Sequence, residues 1–475
     1  MGKSKTKIYE NSRVDGDYMS DIIWKNLKSI LFIVIIMAII SAFLMHKYFL
    51  GALTIIFSTL LLVFAFILRK NEGLVGYIYT IYVIIVGPLN FLLAILSPKN
   101  LWVNHLNKFY NIWLFEDNDI VMRYSLFLLL FYLVSMTVIF VFSNKYKQLS
   151  ISIKLPGIIK IYNPFLMAIL VSIVEYYIRI TFKLNVPGYN PTISFAGVIV
   201  YLFQVLNYYF LFLIIALNVS QFKRITLKNI LYCCAGLVVT QLPSILIGQR
   251  GAIMYALVTM IMYIMIIQFN TTSLIDLKKI RKRTILVIFI SSIIALVGLG
   301  LTNLIRTGEF TTISFIIKRI TGLYDGSIVL YYFSSYETSP PMTIFDFVKT
   351  LLTGKGIIPN KYYTNYIQGY PMTAVHANAA PLFITSWFYD GILGIILISI
   401  YLALIMSILE KKLKKNIIEY KKTTKTRYSA GIYCALHAMI IALGSNIIDG
   451  NITAWKMYTV PIVCYYLIRI TKMKQ

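Results

Sequence analysis

Arg250 stands in Gly248-Gln249-Arg250-Gly251, a short turn between two long apolar runs. Glycine lets backbone come close to a ligand, and a guanidinium presents a planar fork suited to phosphate oxygens. The competing reading is an arginine that snorkels to lipid headgroups. Arg306, in Thr302-Asn303-Leu304-Ile305-Arg306-Thr307-Gly308-Glu309, follows the next outward run and is expected at the same depth. Two guanidiniums at one level suit a pyrophosphate. Lys318 and Arg319 either join them or anchor the chain at the membrane interface. His376, in Thr373-Ala374-Val375-His376-Ala377-Asn378, has the titration range for proton transfer or phosphate binding, two roles the sequence does not separate, and a hydrogen-bonded structural histidine is the competing reading. Glu175 and Arg179 are spaced i, i+4 in an apolar run and so share a helix face. Either they neutralise each other, or Glu175 lines a cavity and is a second candidate base.

Glu116-Asp117-Asn118-Asp119 contains an Asp-x-Asp. Paired carboxylates can hold a divalent cation, but acids and Asn at this place also suit the start of a helix. The capping reading is the simpler, and no metal is expected. Residues 303 to 376 also hold Tyr324, Tyr331, Tyr332, Phe333, Tyr336, Tyr362, Tyr363, Tyr366 and Tyr370. Tyrosine offers sugars a flat apolar face and a hydroxyl, and Tyr324, Tyr362 and Tyr363 are the leading sugar-binding candidates. An aromatic belt at the membrane surface is the alternative.

The elements that carry these residues are membrane helices. The chain is 59% hydrophobic and 13% charged, more apolar surface than a soluble interior can hide. The expected fold class is all-α: a polytopic helix bundle of about 12 spans at roughly 20 residues each. They fall near 29–46, 48–68, 74–96, 121–143, 163–182, 195–217, 230–248, 252–268, 284–302, 391–409, 429–448 and 455–470. A net charge of +27 is read as cationic cytoplasmic loops rather than a nucleic-acid surface, for which there is no motif. Basic clusters fall on every second link, among them Lys278 to Arg283 and Lys411 to Lys425. That alternation puts both termini in the cytoplasm and the first apolar run is read as a retained anchor. The expected layout is a tail over 1–28, nine spans within 29–302, an external segment over 303–390, and three spans with a cytoplasmic end within 391–475. Pro340, Pro341, Pro359 and Pro371 break the external segment into short interfacial helices, Ala379 to Tyr389 is read as re-entrant, and Asp390-Gly391 as a turn into the tenth span. The four cysteines lie inside expected spans, which argues against a disulfide framework.

Three motifs carry a resemblance: Gly248-Gln249-Arg250-Gly251, Arg306 after the next span, and His376 followed by Trp387-Phe388-Tyr389-Asp390-Gly391-Ile392-Leu393-Gly394. With the span count and the late external segment, they make the chain resemble the Wzy-type oligosaccharide repeat-unit polymerases, which are related to the O-antigen ligases. The resemblance implies a fold similar to the GT-C glycosyltransferases, in a bacterial cytoplasmic membrane. It implies an activity that joins oligosaccharide units carried on undecaprenyl pyrophosphate, as donor and acceptor, on the outer face of that membrane. It implies no metal, nucleotide sugar or other cofactor. Its essential arginines and loop histidine map to Arg250, Arg306 and His376. A chain-length regulator and a flippase are the protein partners it suggests. One departure is His376-Ala377-Asn378, where relatives often carry Ser or Asn directly after the His. The competing readings are a lipid-linked oligosaccharide flippase, from which the absence of an internal repeat and the long external segment depart, and an O-antigen-type ligase.

Overall fold

The computed structural model describes residues 27–71, 74–96, 118–145, 163–182, 195–220, 226–247, 250–271, 342–353, 381–423 and 426–444, with Pro340 and scattered helical positions between Leu286 and Leu304. Among them the secondary structure is helical, with no strand and one isolated parallel bridge between Met342 and Tyr389. The helices are α1 (Leu27–Met45), α2 (Tyr48–Asn71), α3 (Leu74–Ile84), α4 (Asn90–Leu96), α5 (Asn118–Lys145), α6 (Pro164–Thr181) and α7 (Phe195–Ser220). They continue with α8 (Leu227–Leu246), α9 (Arg250–Thr271), α10 (Ile344–Thr353), α11 (Leu382–Trp387), α12 (Ile392–Thr423) and α13 (Thr426–Gly444).

Six stretches among the described residues are long and apolar enough to cross a membrane: Leu27–Met45, Leu74–Leu96, Asn118–Phe142, Pro164–Thr181, Leu227–Leu246 and Ile392–Thr423. Each reaches the length that a hydrocarbon core of about 30 Å requires. Their outward faces are apolar too: Phe32, Ile33, Phe43 and Leu44 on α1 are all more than half exposed. Large apolar side chains in such a row suit lipid and not water. The ends are set by ordinary capping chemistry. Asn163 accepts from the backbone N–H of Phe165 and Leu166 at 3.1 and 3.2 Å, and Pro164 occupies the first helical position, where its missing N–H costs nothing.

The described residues form two compact units. The first holds α1 to α5, α10, α11 and α12 as far as Ser407. Its core is aromatic: Phe383 of α11 meets Tyr124 of α5 edge-on at 4.8 Å, and Phe91 and Phe131 are fully buried nearby in the same ring network. The segment 74–96, read from sequence as one helix, is broken by a π-helical turn over Ile85–Leu89 that contains Pro88. Proline has no N–H to give the ladder, and a wider turn absorbs the defect. Tyr124 donates its hydroxyl to the Val86 carbonyl at 2.9 Å inside that turn, so the loosened backbone keeps a partner away from water. The second unit holds α6 to α9, α12 from Ile408, and α13.

Candidate functional site

Arg250 is the first residue of α9, and no acidic residue occupies that helix's first turn. The sequence placed it in a turn; the helix begins one residue before Gly251. A helix N-terminus leaves backbone N–H groups unpaired by the helix and carries a partial positive charge. Arg250 and the helix start therefore coincide at one point of the chain.

The Glu175–Arg179 pair of α6 is closed. Arg179 Nε and Nη2 donate to Glu175 Oε1 at 2.9 and 2.7 Å. The other oxygen, Oε2, accepts from Asn207 Nδ2 of α7 at 2.7 Å. One turn earlier on α6, Ser172 Oγ lies 3.1 Å from Asn207 Oδ1 and 2.9 Å from the Val239 carbonyl of α8, sharing its proton between them. Glu175 is 1% exposed and Arg179 2%. The i, i+4 spacing read from sequence thus becomes an internal ion pair, and Asn207 and Ser172 extend it into a polar tie across α6, α7 and α8. A buried charge pair persists only when its remaining hydrogen-bonding capacity is met in this way. Asn207 and Ser172 gave no spacing signal, because their partners lie on other helices.

The Trp387–Gly394 motif is built as a clasp in the first unit. Met342 N–H donates to the Phe388 carbonyl at 3.1 Å, and Asp390 N–H donates back to the Met342 carbonyl at 2.9 Å. Asp390 and Gly391 take left-handed φ values of 58° and 62°, conformations that Asp tolerates and Gly adopts freely. The turn aims the Asp390 carboxylate at α10, where Oδ2 accepts from Ile344 N–H at 2.6 Å. Thr343 and Asp346 complete the start of α10 as a capping box: Thr343 N–H and Oγ1 both donate to Asp346 Oδ2 at 2.9 Å. The expected re-entrant stretch contains α11, whose Leu382, Phe383, Ile384 and Ser386 are buried. Leu382 N–H donates to the Tyr82 hydroxyl at 2.9 Å, and Trp387 stacks on Phe127 at 6.4 Å. Part of the long segment is therefore fastened to the residues that lead into α12, a helix long enough to cross a membrane.

Asp346 carries a consequence for pH. The Thr343 backbone N–H, then its hydroxyl, hold the exposed carboxyl below the usual aspartate range. A lowered folded-state pKa gives stability that is complete above the ordinary value of about 3.9 and is lost as pH falls through the lower folded value. Hydrogen exchange in the first turn of α10, corrected for intrinsic rates, should stay flat down to about pH 4 and rise below it. An unchanged profile in Asp346→Ala would contradict this.

Arg306, Arg319, Tyr324, Tyr362, Tyr363 and His376 lie outside the described residues, as does Lys318. Asn118 and Asp119 form the first turn of α5, the helix-start arrangement that the Asp-x-Asp allowed. No group of three or more His, Cys, Asp or Glu side chains able to hold a metal occurs among the described residues. Sequence reasoning passed over His437, a fully buried histidine of α13 bonded to Thr259 of α9 at 2.9 Å. A histidine alone in an apolar run has no neighbour in sequence to mark it.

Fold and site define the class: a helical protein with several helices long and apolar enough to cross a membrane and a buried charge network in one of its two units. No protein-family model, curated protein or solved structure matches the chain.

Proposed function

We propose that this protein polymerises oligosaccharide repeat units carried on undecaprenyl pyrophosphate, on the outer face of a bacterial cytoplasmic membrane. The reading takes the chain as a GT-C-like bundle of about 12 spans with both termini cytoplasmic. The observation that carries it is the start of α9 at Arg250. A guanidinium at a helix N-terminus is a place where phosphate oxygens find charge and N–H donors together. In the proposed site Arg306 and Arg319 add to that charge, and Tyr324, Tyr362 and Tyr363 receive the sugars.

The chemistry needs little more. The acceptor hydroxyl oxygen bonds to the anomeric carbon of the donor, and the bond from that carbon to the pyrophosphate oxygen breaks. The electron pair leaves with the lipid pyrophosphate, whose growing charge the fixed cations stabilise. A base takes the hydroxyl proton. Both Glu175 oxygens already accept hydrogen bonds from Arg179 and Asn207, which favours His376 over Glu175 for that role.

Arg250→Ala or Arg306→Ala should abolish long-chain polymer while the protein reaches the membrane at its normal level. Loss of one such charge-stabilising donor slows transfer by about 10²–10³. Gel analysis of surface glycan checks this, and normal chain lengths in both variants would rule the site out. A deletion strain separates the neighbouring readings. Single exported units indicate a polymerase, units trapped inside a flippase, and free polymer on its carrier a ligase.

A further inference from the structure

Helices α7, α9 and α13 of the second unit enclose a histidine that the proposed chemistry does not use. His437 and Tyr433 are fully buried on one face of α13, a turn apart. His437 Nδ1 lies 2.9 Å from Thr259 Oγ1. The Tyr208 ring of α7 packs on the imidazole at 4.5 Å between centroids. The Tyr433 ring is nearly parallel to it, 7° between planes and 6.1 Å between centroids.

Thr259 fixes the tautomer. Its Oγ1 is 2.7 Å from the Tyr255 carbonyl oxygen. Two oxygens so close need a proton between them, and a carbonyl has none to give. With the hydroxyl proton of Thr259 directed to that closer oxygen, Thr259 accepts from His437, and Nδ1 carries the ring proton. Nε2 is then a bare lone pair. Among the described residues it has no hydrogen-bond partner, and neither has the Tyr433 hydroxyl. By contrast, the nearby Tyr263 hydroxyl pairs with Ser429. An unused acceptor and an unused donor thus sit a turn apart on one buried helix face. Leaving either unmade in an apolar bundle is costly, and native interiors rarely do so.

We propose that His437 and Tyr433 form a binding site for one small protic guest, water in the resting protein. The guest donates to His437 Nε2 and accepts from the Tyr433 hydroxyl. A buried water needs at least two polar partners, and these two atoms supply one of each kind. This site stands whether or not the protein is a polymerase.

The test uses the full chain in phospholipid nanodiscs, labelled with ¹⁵N-histidine, with bulk water as the probe in solid-state NMR. The His437 signals are assigned by their loss in His437→Gln. The expected result is a neutral ring protonated at Nδ1, with magnetisation passing from water to Nε2. Tyr433→Phe should reduce that transfer to a small fraction while the Nδ1 signal, which reports the Thr259 contact and the fold, stays in place. No water transfer in the wild type, a proton on Nε2, or full transfer in Tyr433→Phe would each overturn the proposal. Should Tyr433→Phe fail to fold, the wild-type spectrum alone decides.

Discussion

Arg179→Leu, made alone, should destabilise the second unit by about 3–5 kcal/mol, because it strands a buried carboxylate. Glu175 is 1% exposed, so water cannot take over the lost contacts. Only the Asn207 amide would remain, on one of the two oxygens. The double variant Glu175→Gln with Arg179→Met should recover most of the loss. A neutral amide oxygen still accepts from Asn207, and no charge is left uncompensated. Unfolding midpoints of the purified protein in one detergent measure this directly. A single variant as stable as wild type would mean that the pair does not hold the α6–α7–α8 tie together. Polymer length in the double variant adds a second reading. Retained polymer assigns the pair to structure; loss of polymer with recovered stability would return Glu175 to the chemistry.

The second large effect is expected at Gly394. A Cβ there would overlap the Tyr389 carbonyl oxygen and crowd the Ser386 carbonyl. Backbone atoms cannot rotate aside as a flexible side chain can. Overpacking usually costs about 1–3 kcal/mol, and Gly394→Ala should reach or exceed the upper end of that range. The damage should spread along the clasp. If the first turn of α12 shifts, the Asp390 carboxylate loses Ile344 N–H, and α10 loses a cap. Faster hydrogen exchange in α10 should therefore accompany the lower unfolding midpoint. Leu393→Ala, at a side chain 53% exposed, is the matched control and should do neither. Unchanged exchange in α10 after Gly394→Ala would break the link between clasp and helix.

The sequence revealed helices more readily than it revealed partners. Long apolar runs such as Leu27–Met45 and Asn118–Phe142 announce themselves through composition, since little else can be buried along their whole length. The Glu175–Arg179 pair was legible as well, because i, i+4 spacing is a local property of one helix. Asn207 was not legible: its contact with Glu175 spans 32 residues and exists only once α6 and α7 pack. His437 was hidden for the same reason, with Thr259 178 residues away. Asp390-Gly391 read correctly as a turn, but nothing local said that the Asp side chain would reach back to Ile344. Arg250 shows a subtler difference. Glycines on either side suggested a free turn, yet Gly251 is accommodated in the first turn of α9, and the arginine gains a helix start beside it. Pro88 in the third apolar run drew no reading as a break, yet the chain answers it with a π-helical turn to which Tyr124 is hydrogen-bonded.

The most direct test is a cryo-EM structure of the full chain in nanodiscs with a polyprenyl-pyrophosphate-linked oligosaccharide bound. The predicted result is a diphosphate held jointly by Arg250 at the start of α9 and by Arg306, with sugars lying against tyrosines of residues 303–390. Arginines far apart, or turned toward acyl chains with the diphosphate bound elsewhere, would contradict it.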